Sequence, residues 1–390
     1  MLSRPTRMVM IAVLLLAAVL SACVAREDVG DAGGSAVALR LAARSGENEF
    51  ARATEIRSFQ FPEDHGPHFD YQTEWWYYTG NLTSDDGQRF GYQFTIFRRA
   101  LAPGAPPGGG SLSTNQVYFA HIALTDVAEG EHFFEERFSR GAADLAGAQA
   151  APFEAWVEDW RVEAKGPGAE KVQITAATAE FELSLLLEAE KPIVMHGESG
   201  LSAKSDEPGN ASYYLSFTRM QAGGTLVVGD KTFSVSGPSW FDHEWSTSVL
   251  DEGTVGWDWF GLQLDDGREL MLYYIRQADG SIGPISGGTY IAADGEARSL
   301  TSSEIQITAV STWYSDESGA EYPSGWQISL PSLDMNLTIE PWIDAQEMRV
   351  SFTYWEGAVR ITGEEGGTAL SGSGYVELTG YLESMEGVLS

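Results

Sequence analysis

The chain has one cysteine in 390 residues, Cys23. With no second thiol no internal disulfide can form, so stability must come from burial. Positive charge is also scarce: 24 Lys and Arg stand against 56 Asp and Glu, a net charge of −32. No basic stripe is present to release counterions, which argues against nucleic acid and anionic lipid surfaces as partners. Beyond the first twenty residues no apolar run approaches the length of a membrane-spanning helix. Amphipathic helical periodicity is scarce too. A Gly-x-Ser-x-Gly nucleophile elbow does not occur, since Gly197-Glu198-Ser199-Gly200 has the wrong spacing, so a serine hydrolase is not indicated.

What is present begins with an address. Arg4 and Arg7 precede an apolar run from Met8 to Leu20, and Leu20-Ser21-Ala22-Cys23 follows. The run is short for a bilayer span and suits a cleaved signal over residues 1–22, with Cys23 as the lipidated residue. Val24 after the cysteine points to the periplasmic face of the outer membrane, with the lipid as the only membrane attachment. Residues 23–54 are rich in Ala, Gly and Ser and read as a flexible tether.

The remainder alternates as strands do. Tyr92, Phe94 and Ile96 share one face of a run from Gly91 to Phe97. Further β-rich runs include Val117–Leu124, Phe181–Leu187, Tyr213–Phe217, Leu270–Ile275 and Arg349–Tyr354. One pattern occurs twice, about 180 residues apart. Trp76-Tyr77-Tyr78-Thr79-Gly80 leads through Asp85-Asp86-Gly87 to Phe97-Arg98, and Trp257-Asp258-Trp259-Phe260-Gly261 leads through Asp265-Asp266-Gly267 to Ile275-Arg276. A repeated strand-turn-strand unit predicts two similar antiparallel β domains, 55–237 and 238–390, divided at Gly237-Pro238. Closure of each sheet into a barrel would remove its sticky edges. The fold class is all-β.

Two aromatic and acidic clusters are the candidates for chemistry. The first is Glu74-Trp75-Trp76-Tyr77-Tyr78. The second runs Trp240-Phe241-Asp242-His243-Glu244-Trp245 and resumes at Trp257-Asp258-Trp259. Strand alternation puts Asp242 and Glu244 on one face with His243 and Trp245 on the other, and turns Asp258 away from Trp257 and Trp259. Carboxyls among aromatic rings are desolvated, which raises their pKa into the range a general acid needs. The competing reading is structural: indoles fill a barrel and the carboxylates bond their N–H groups. His65-x-x-His68 has Gly66-Pro67 within it and no Cys or third His nearby in sequence, so it reads as a turn and no metal is expected.

These motifs carry a resemblance. Phe61-Pro62-Glu63-Asp64-His65-Gly66 with Glu74-Trp75-Trp76-Tyr77-Tyr78, the Gly237-to-Trp245 block, Trp257-Asp258-Trp259, Tyr354-Trp355-Glu356-Gly357-Ala358 and Gly374-Tyr375-Val376-Glu377-Leu378-Thr379-Gly380-Tyr381 together resemble the AttH/carotenoid 1,2-hydratase family, in order along the chain. The resemblance implies two lipocalin-like domains and an isoprenoid, polyene or lipid ligand. It also implies cofactor-independent hydration, in which an acid protonates a double bond, aromatic faces stabilise the cation and water captures it. On this footing His243, Trp245 and Asp258 are the catalytic candidates. The tyrosine that the resemblance places two residues before Asp258 is here Gly256. Glu74, Trp75, Trp76, Trp240, Asp242, Trp257 and Trp259 are the ligand-binding candidates, in a cavity near the domain junction. Two other readings stand beside this one: a non-catalytic lipid carrier serving an envelope ABC-type export system, and a carbohydrate-binding or carbohydrate-cleaving module.

Overall fold

The structure is a computed structural model and describes residues 50–106, 112–247, 250 and 253–385. The signal segment, Cys23 and most of the expected tether lie outside the described residues. The last part of that tether, residues 50–54, is packed rather than loose. Ala53 is buried against Tyr213 and Trp245, and Ala51 bonds backbone to backbone with Asp70.

The first sheet starts with β1 (Thr73–Ser84), β2 (Arg89–Ala100), β3 (Gln116–Asp126), β4 (Glu131–Arg140), β5 (Ala146–Ala150) and β6 (Phe153–Val157). It continues through β7 (Trp160–Ala164), β8 (Lys171–Ala177), β9 (Phe181–Ala189), β10 (Val194–Met195), β11 (Leu201–Ala203), β12 (Ala211–Val228) and β13 (Lys231–Ser246). The second comprises β14 (Thr254–Leu264), β15 (Glu269–Gln277), β16 (Gly287–Ile291), β17 (Ala297–Thr301) and β18 (Gln306–Tyr314). It ends with β19 (Glu321–Leu330), β20 (Met335–Pro341), β21 (Glu347–Arg349), β22 (Thr353–Glu365) and β23 (Thr368–Leu378).

Hydrogen-bonded neighbours in the first sheet run β4-β3-β2-β1-β13-β12-β9-β8-β7-β6-β5, bending it into a nearly closed barrel. The second runs β17-β16-β15-β14-β23-β22-β20-β19-β18 and forms a half-barrel. Each sheet pairs its first strand with its second and its last. The duplicated hairpins are β1–β2 and β14–β15. Their turns match bond for bond: Ser84 N–H reaches Gln88 and Gly87 N–H reaches Ser84, as Leu264 reaches Arg268 and Gly267 reaches Leu264. Gly87 and Gly267 both sit at φ +88°, the left-handed residue that closes a three-residue hairpin loop and favours glycine.

Burial follows the alternation. On β9 Phe181, Leu183, Leu185 and Leu187 are buried and the residues between them exposed. On β1 and β13 both faces are covered, because the second sheet packs on the outside of the first barrel there. The approach is close: a Cβ on Gly91 would lie 2.4 Å from the Cβ of Ala358.

The chain passes between sheets later than the expected division. Gly237 and Pro238 lie inside β13, and the passage falls between Ser246 and Thr254. The ladder to β1 runs through Gly80↔Ser239 and resumes at Thr83↔Ser236, skipping both residues. Proline lacks an N–H and suits such an interruption, and a Cβ on Gly237 would lie 2.0 Å from the Asn81 carbonyl oxygen. The Gly-Pro pair marks a break in one ladder.

Candidate functional site

The two faces of β1 and β13 do different work. Trp76 and His243 are register partners, as are Glu74 and Trp245, and all four point into the first barrel. Trp75, Tyr77, Asp242 and Glu244 point outward, toward the second sheet.

The inward face carries a buried ionic network centred on Glu74. Its Oε1 accepts from His68 Nδ1 at 2.7 Å and His243 Nε2 at 2.9 Å. Its Oε2 accepts from Arg98 Nε at 2.8 Å and from the His68 backbone N–H at 2.9 Å. Burial opposes the charge on Glu74, but Arg98, His68 and His243 outweigh it and hold the carboxyl well below its ordinary range. His68 Nε2 lies 3.0 Å from Asp64 Oδ1, so each of its ring nitrogens faces a carboxylate and must donate. Although burial alone would lower it, Glu74 and Asp64 raise its pKa. His243 is held down by burial, and its Nδ1 has no partner among the described residues. Its ring packs 5.1 Å from Trp76, while Trp245 stacks on His68 at 3.7 Å.

His68, Glu74 and His243 offer atoms close enough together for one metal ion. Their chemistry does not fit one. The facing atoms already bond each other through protons, and the Arg98 guanidinium sits against the same carboxylate. As placed, these side chains form one buried, hydrogen-bonded ionic network.

The outward face opens on a cavity of about 90 Å³ between the sheets. Trp75, Tyr77, Phe97, Trp257, Trp259 and Phe352 supply aromatic wall. Four acidic or basic side chains share it: Asp242 and Glu244 from β13, Glu377 from β23 and Lys204. Lys204 pairs with Glu244 at 2.7 Å. Asp242 receives three donors: Trp240 Nε1 at 2.7 Å and the Ser216 hydroxyl on Oδ1, and the Tyr214 hydroxyl at 2.7 Å on Oδ2. Trp259 Nε1 donates in turn to Tyr214 at 3.0 Å. Burial pushes Asp242 up to about 7 against the pull of those bonds, with Glu244 adding to the rise. Glu377 has one donor, Trp257 Nε1 at 2.8 Å. Burial lifts it to about 7, the Trp257 bond opposes, and the charges of Asp242 and Glu244 add to the rise.

The fold thus separates the residues singled out from sequence. Trp75, Asp242, Trp257 and Trp259 line the cavity, and Trp240 stands behind it holding Asp242. Glu74, Trp76, His243 and Trp245 are on the other side of the sheet. Asp258 is turned into the second domain, where Arg276 Nε at 2.9 Å and the Tyr381 hydroxyl at 3.0 Å bind it. Burial raises its pKa, with Arg276 and Tyr381 opposing. Tyr214, Lys204 and Glu377 were not among the candidates, and Glu244 stood in the second cluster without an assigned role. Glu377 carried a readable signal, a glutamate between the apolar residues Val376 and Leu378. Lys204 carried none, because the loop before β12 brings it to the site.

A family model described as AttH-like matches residues 52–381. The crystal structure of an AttH protein from Nitrosomonas europaea is 31% identical with a TM-score of 0.75, covering 86% of this chain and all of that one. Kievitone hydratase from Nectria haematococca shares the fold at 13% identity, with a TM-score of 0.65 over 86% of this chain and 98% of its own. Among curated proteins, the dehydratase AsqC of Emericella nidulans is 23% identical over 219 residues. That match takes in 53% of this chain and spans only 60% of the relative's length.

Proposed function

The chain belongs to the AttH-like family, and from that premise we propose that it is a cofactor-independent hydro-lyase, adding water across a carbon–carbon double bond of an apolar substrate or eliminating water to form one. The observation that carries the reading is the pair of carboxyls, Asp242 and Glu377, facing one aromatic cavity. A hydratase and a dehydratase among the similar proteins support the same class.

The pair titrates as a unit, and its members differ in their donors. Three donors favour the Asp242 anion, whereas Glu377 has one and is disfavoured as an anion once Asp242 is charged. With both groups raised to about 7, we assign the proton to Glu377 and the charge to Asp242 when the site is ready to react. In hydration Glu377 delivers that proton to one alkene carbon, forming the C–H bond and leaving a cation on the other. The faces of Trp75, Trp257 and Trp259 stabilise the cation, and water captures it while passing a proton to Asp242. One water is added, and one proton returned from Asp242 to Glu377 resets the site. Dehydration is the same path reversed. The isoprenoid, polyene or lipid character of the substrate rests on the aromatic wall. An envelope location, with the chain anchored through Cys23, would put the site beside such molecules, and Cys23→Ala is expected to abolish lipid labelling.

The test uses the purified chain, envelope lipid extract and ¹⁸O-labelled water, read by mass spectrometry. A product carrying one ¹⁸O is expected with wild type and is reduced by about 10²-fold or more in Glu377→Gln and Asp242→Asn. Extracted lipid that binds with no ¹⁸O incorporation, and no water lost from any bound species, would leave a carrier and contradict the enzyme reading.

A further inference from the structure

Behind Asp242 a second chain of hydrogen bonds leads away from the cavity and across to the other domain. Ser216, its register partner on β12, donates its hydroxyl to Asp242 Oδ1. The Ser216 oxygen lies 2.8 Å from His196 Nε2, and His196 Nδ1 lies 2.8 Å from the Thr289 hydroxyl on β16 of the second sheet. All three links are fully or almost fully buried: His196 and Ser216 are 0% exposed and Thr289 is 2% exposed. The His196 ring also packs 4.4 Å from the Tyr214 ring, and its backbone N–H bonds to the Tyr214 carbonyl. It therefore touches two of the three donors to Asp242.

The direction of the chain follows from counting protons. A hydroxyl has one hydrogen, and an ionised Asp242 can only accept, so the Ser216 hydrogen is committed to Asp242. Ser216 oxygen must then accept from His196, which fixes the proton on Nε2. Nδ1 is left as an acceptor, and Thr289 supplies its hydrogen. We infer that His196 is a positioning residue for the proposed reaction, held in the Nε2–H form between Ser216 and Thr289 of the second domain, so that Ser216 presents its hydroxyl hydrogen to Asp242 and keeps it the proton acceptor of the site. Burial holds His196 near 3, with Lys204 adding to the effect, so the ring stays neutral and the polarity does not reverse by its own titration. Other titratable groups toward Asp242 are Tyr214 from β12, Glu244 and Lys204 beside it, Glu377 from β23, and Tyr77, its register partner on β1.

The inference rests on the reading of Asp242 as the base, and the test keeps the two apart. In ¹⁵N-labelled full chain the Trp240 Nε1–H resonance reports Asp242, to which it donates, and His196 ring nitrogens report the tautomer. Titration of the Trp240 signal between about pH 5 and 7, above the ordinary aspartate range, is expected. Its absence between about pH 5 and 9 would overturn Asp242 as the base, whatever His196 does. At about pH 8.5 His196 is expected with its proton on Nε2; a proton on Nδ1 would overturn the positioning role and leave the base reading intact. His196→Phe and Ser216→Ala should each raise the proton affinity of Asp242 about tenfold, and His196→Gln, whose amide N–H replaces Nε2–H, should restore it within about threefold. Unchanged midpoints in all three would also overturn the inference. If His196→Phe fails to fold, the wild-type tautomer and Ser216→Ala still decide.

Discussion

Glu356 on β22 and Glu377 on β23 stand directly opposite each other in the ladder of the second sheet. Two carboxylates so placed repel, and Glu356 is 1% exposed. Burial, with Glu377 adding to it, pushes Glu356 well above the ordinary glutamate range, and the Tyr77 hydroxyl donates to its Oε2 at 2.9 Å. Glu356 is therefore a neutral acid at pH 7 that ties the first domain to the second. Glu356→Gln should change stability by less than about 1 kcal/mol, since it keeps the acceptor for Tyr77. Glu356→Lys should unfold the seam. Urea denaturation reads both, and a large loss in the glutamine variant would mean that the wild-type group is charged.

The cavity carboxyls should oppose folding at neutral pH. Asp242 and Glu377 are raised to about 7 in the fold, above the values near 4 of an unfolded chain. Their contribution is fully present below about pH 4 and is lost as pH rises toward 7. The double variant Asp242→Asn, Glu377→Gln should gain on the order of 2 kcal/mol over wild type at about pH 8 and little at about pH 4. Equal shifts at both pH values would contradict the raised pKa values.

In the inner network the glutamate works in the opposite sense and the histidine in the same one. Glu74 is held low, so its contribution is present above the ordinary glutamate pKa and is lost as pH falls through the lowered one. His68 is raised, and its contribution disappears as pH climbs through its folded pKa. Glu74→Gln leaves Arg98 and His68 buried without their anion and should cost about 3–5 kcal/mol. Adding Arg98→Met should recover part of that loss. A Glu74→Gln variant as stable as wild type by thermal and urea unfolding would refute the network.

Asp258→Asn should weaken the fold without stopping chemistry. Its carboxylate meets Arg276 and Tyr381 on the far side of β14 from the cavity, so the expected cost is about 1–3 kcal/mol in stability with turnover retained. A 10²-fold loss of activity in a fully folded variant would return Asp258 to the catalytic role.

The fold was legible because its signals are local. Alternation, the two Asp-Asp-Gly turns and the motif order all lie within short windows, and β9 and the paired hairpins follow them. The site was legible only in part. Period-two alternation separated Asp242 and Glu244 from His243 and Trp245, but it could not say which face meets the cavity, because both faces of β13 are buried. His243 and Asp258 looked like one site because each lies next to a tryptophan; in the fold they sit in the interiors of different domains. Glu377 and Lys204 reach Asp242 through pairings between remote segments, which no sequence window contains. Gly237-Pro238 carried the composition of a boundary and proved to be an irregularity within one strand.

The central claim is that Glu377 carries the proton and Asp242 the charge when the cavity is ready to react. Infrared difference spectra of the full chain at pH 7, wild type minus Glu377→Gln and wild type minus Asp242→Asn, test it most directly. A protonated-carboxyl C=O band present in the first difference and absent from the second is predicted. The same band in the Asp242→Asn difference alone, or in neither, would contradict the assignment of acid and base.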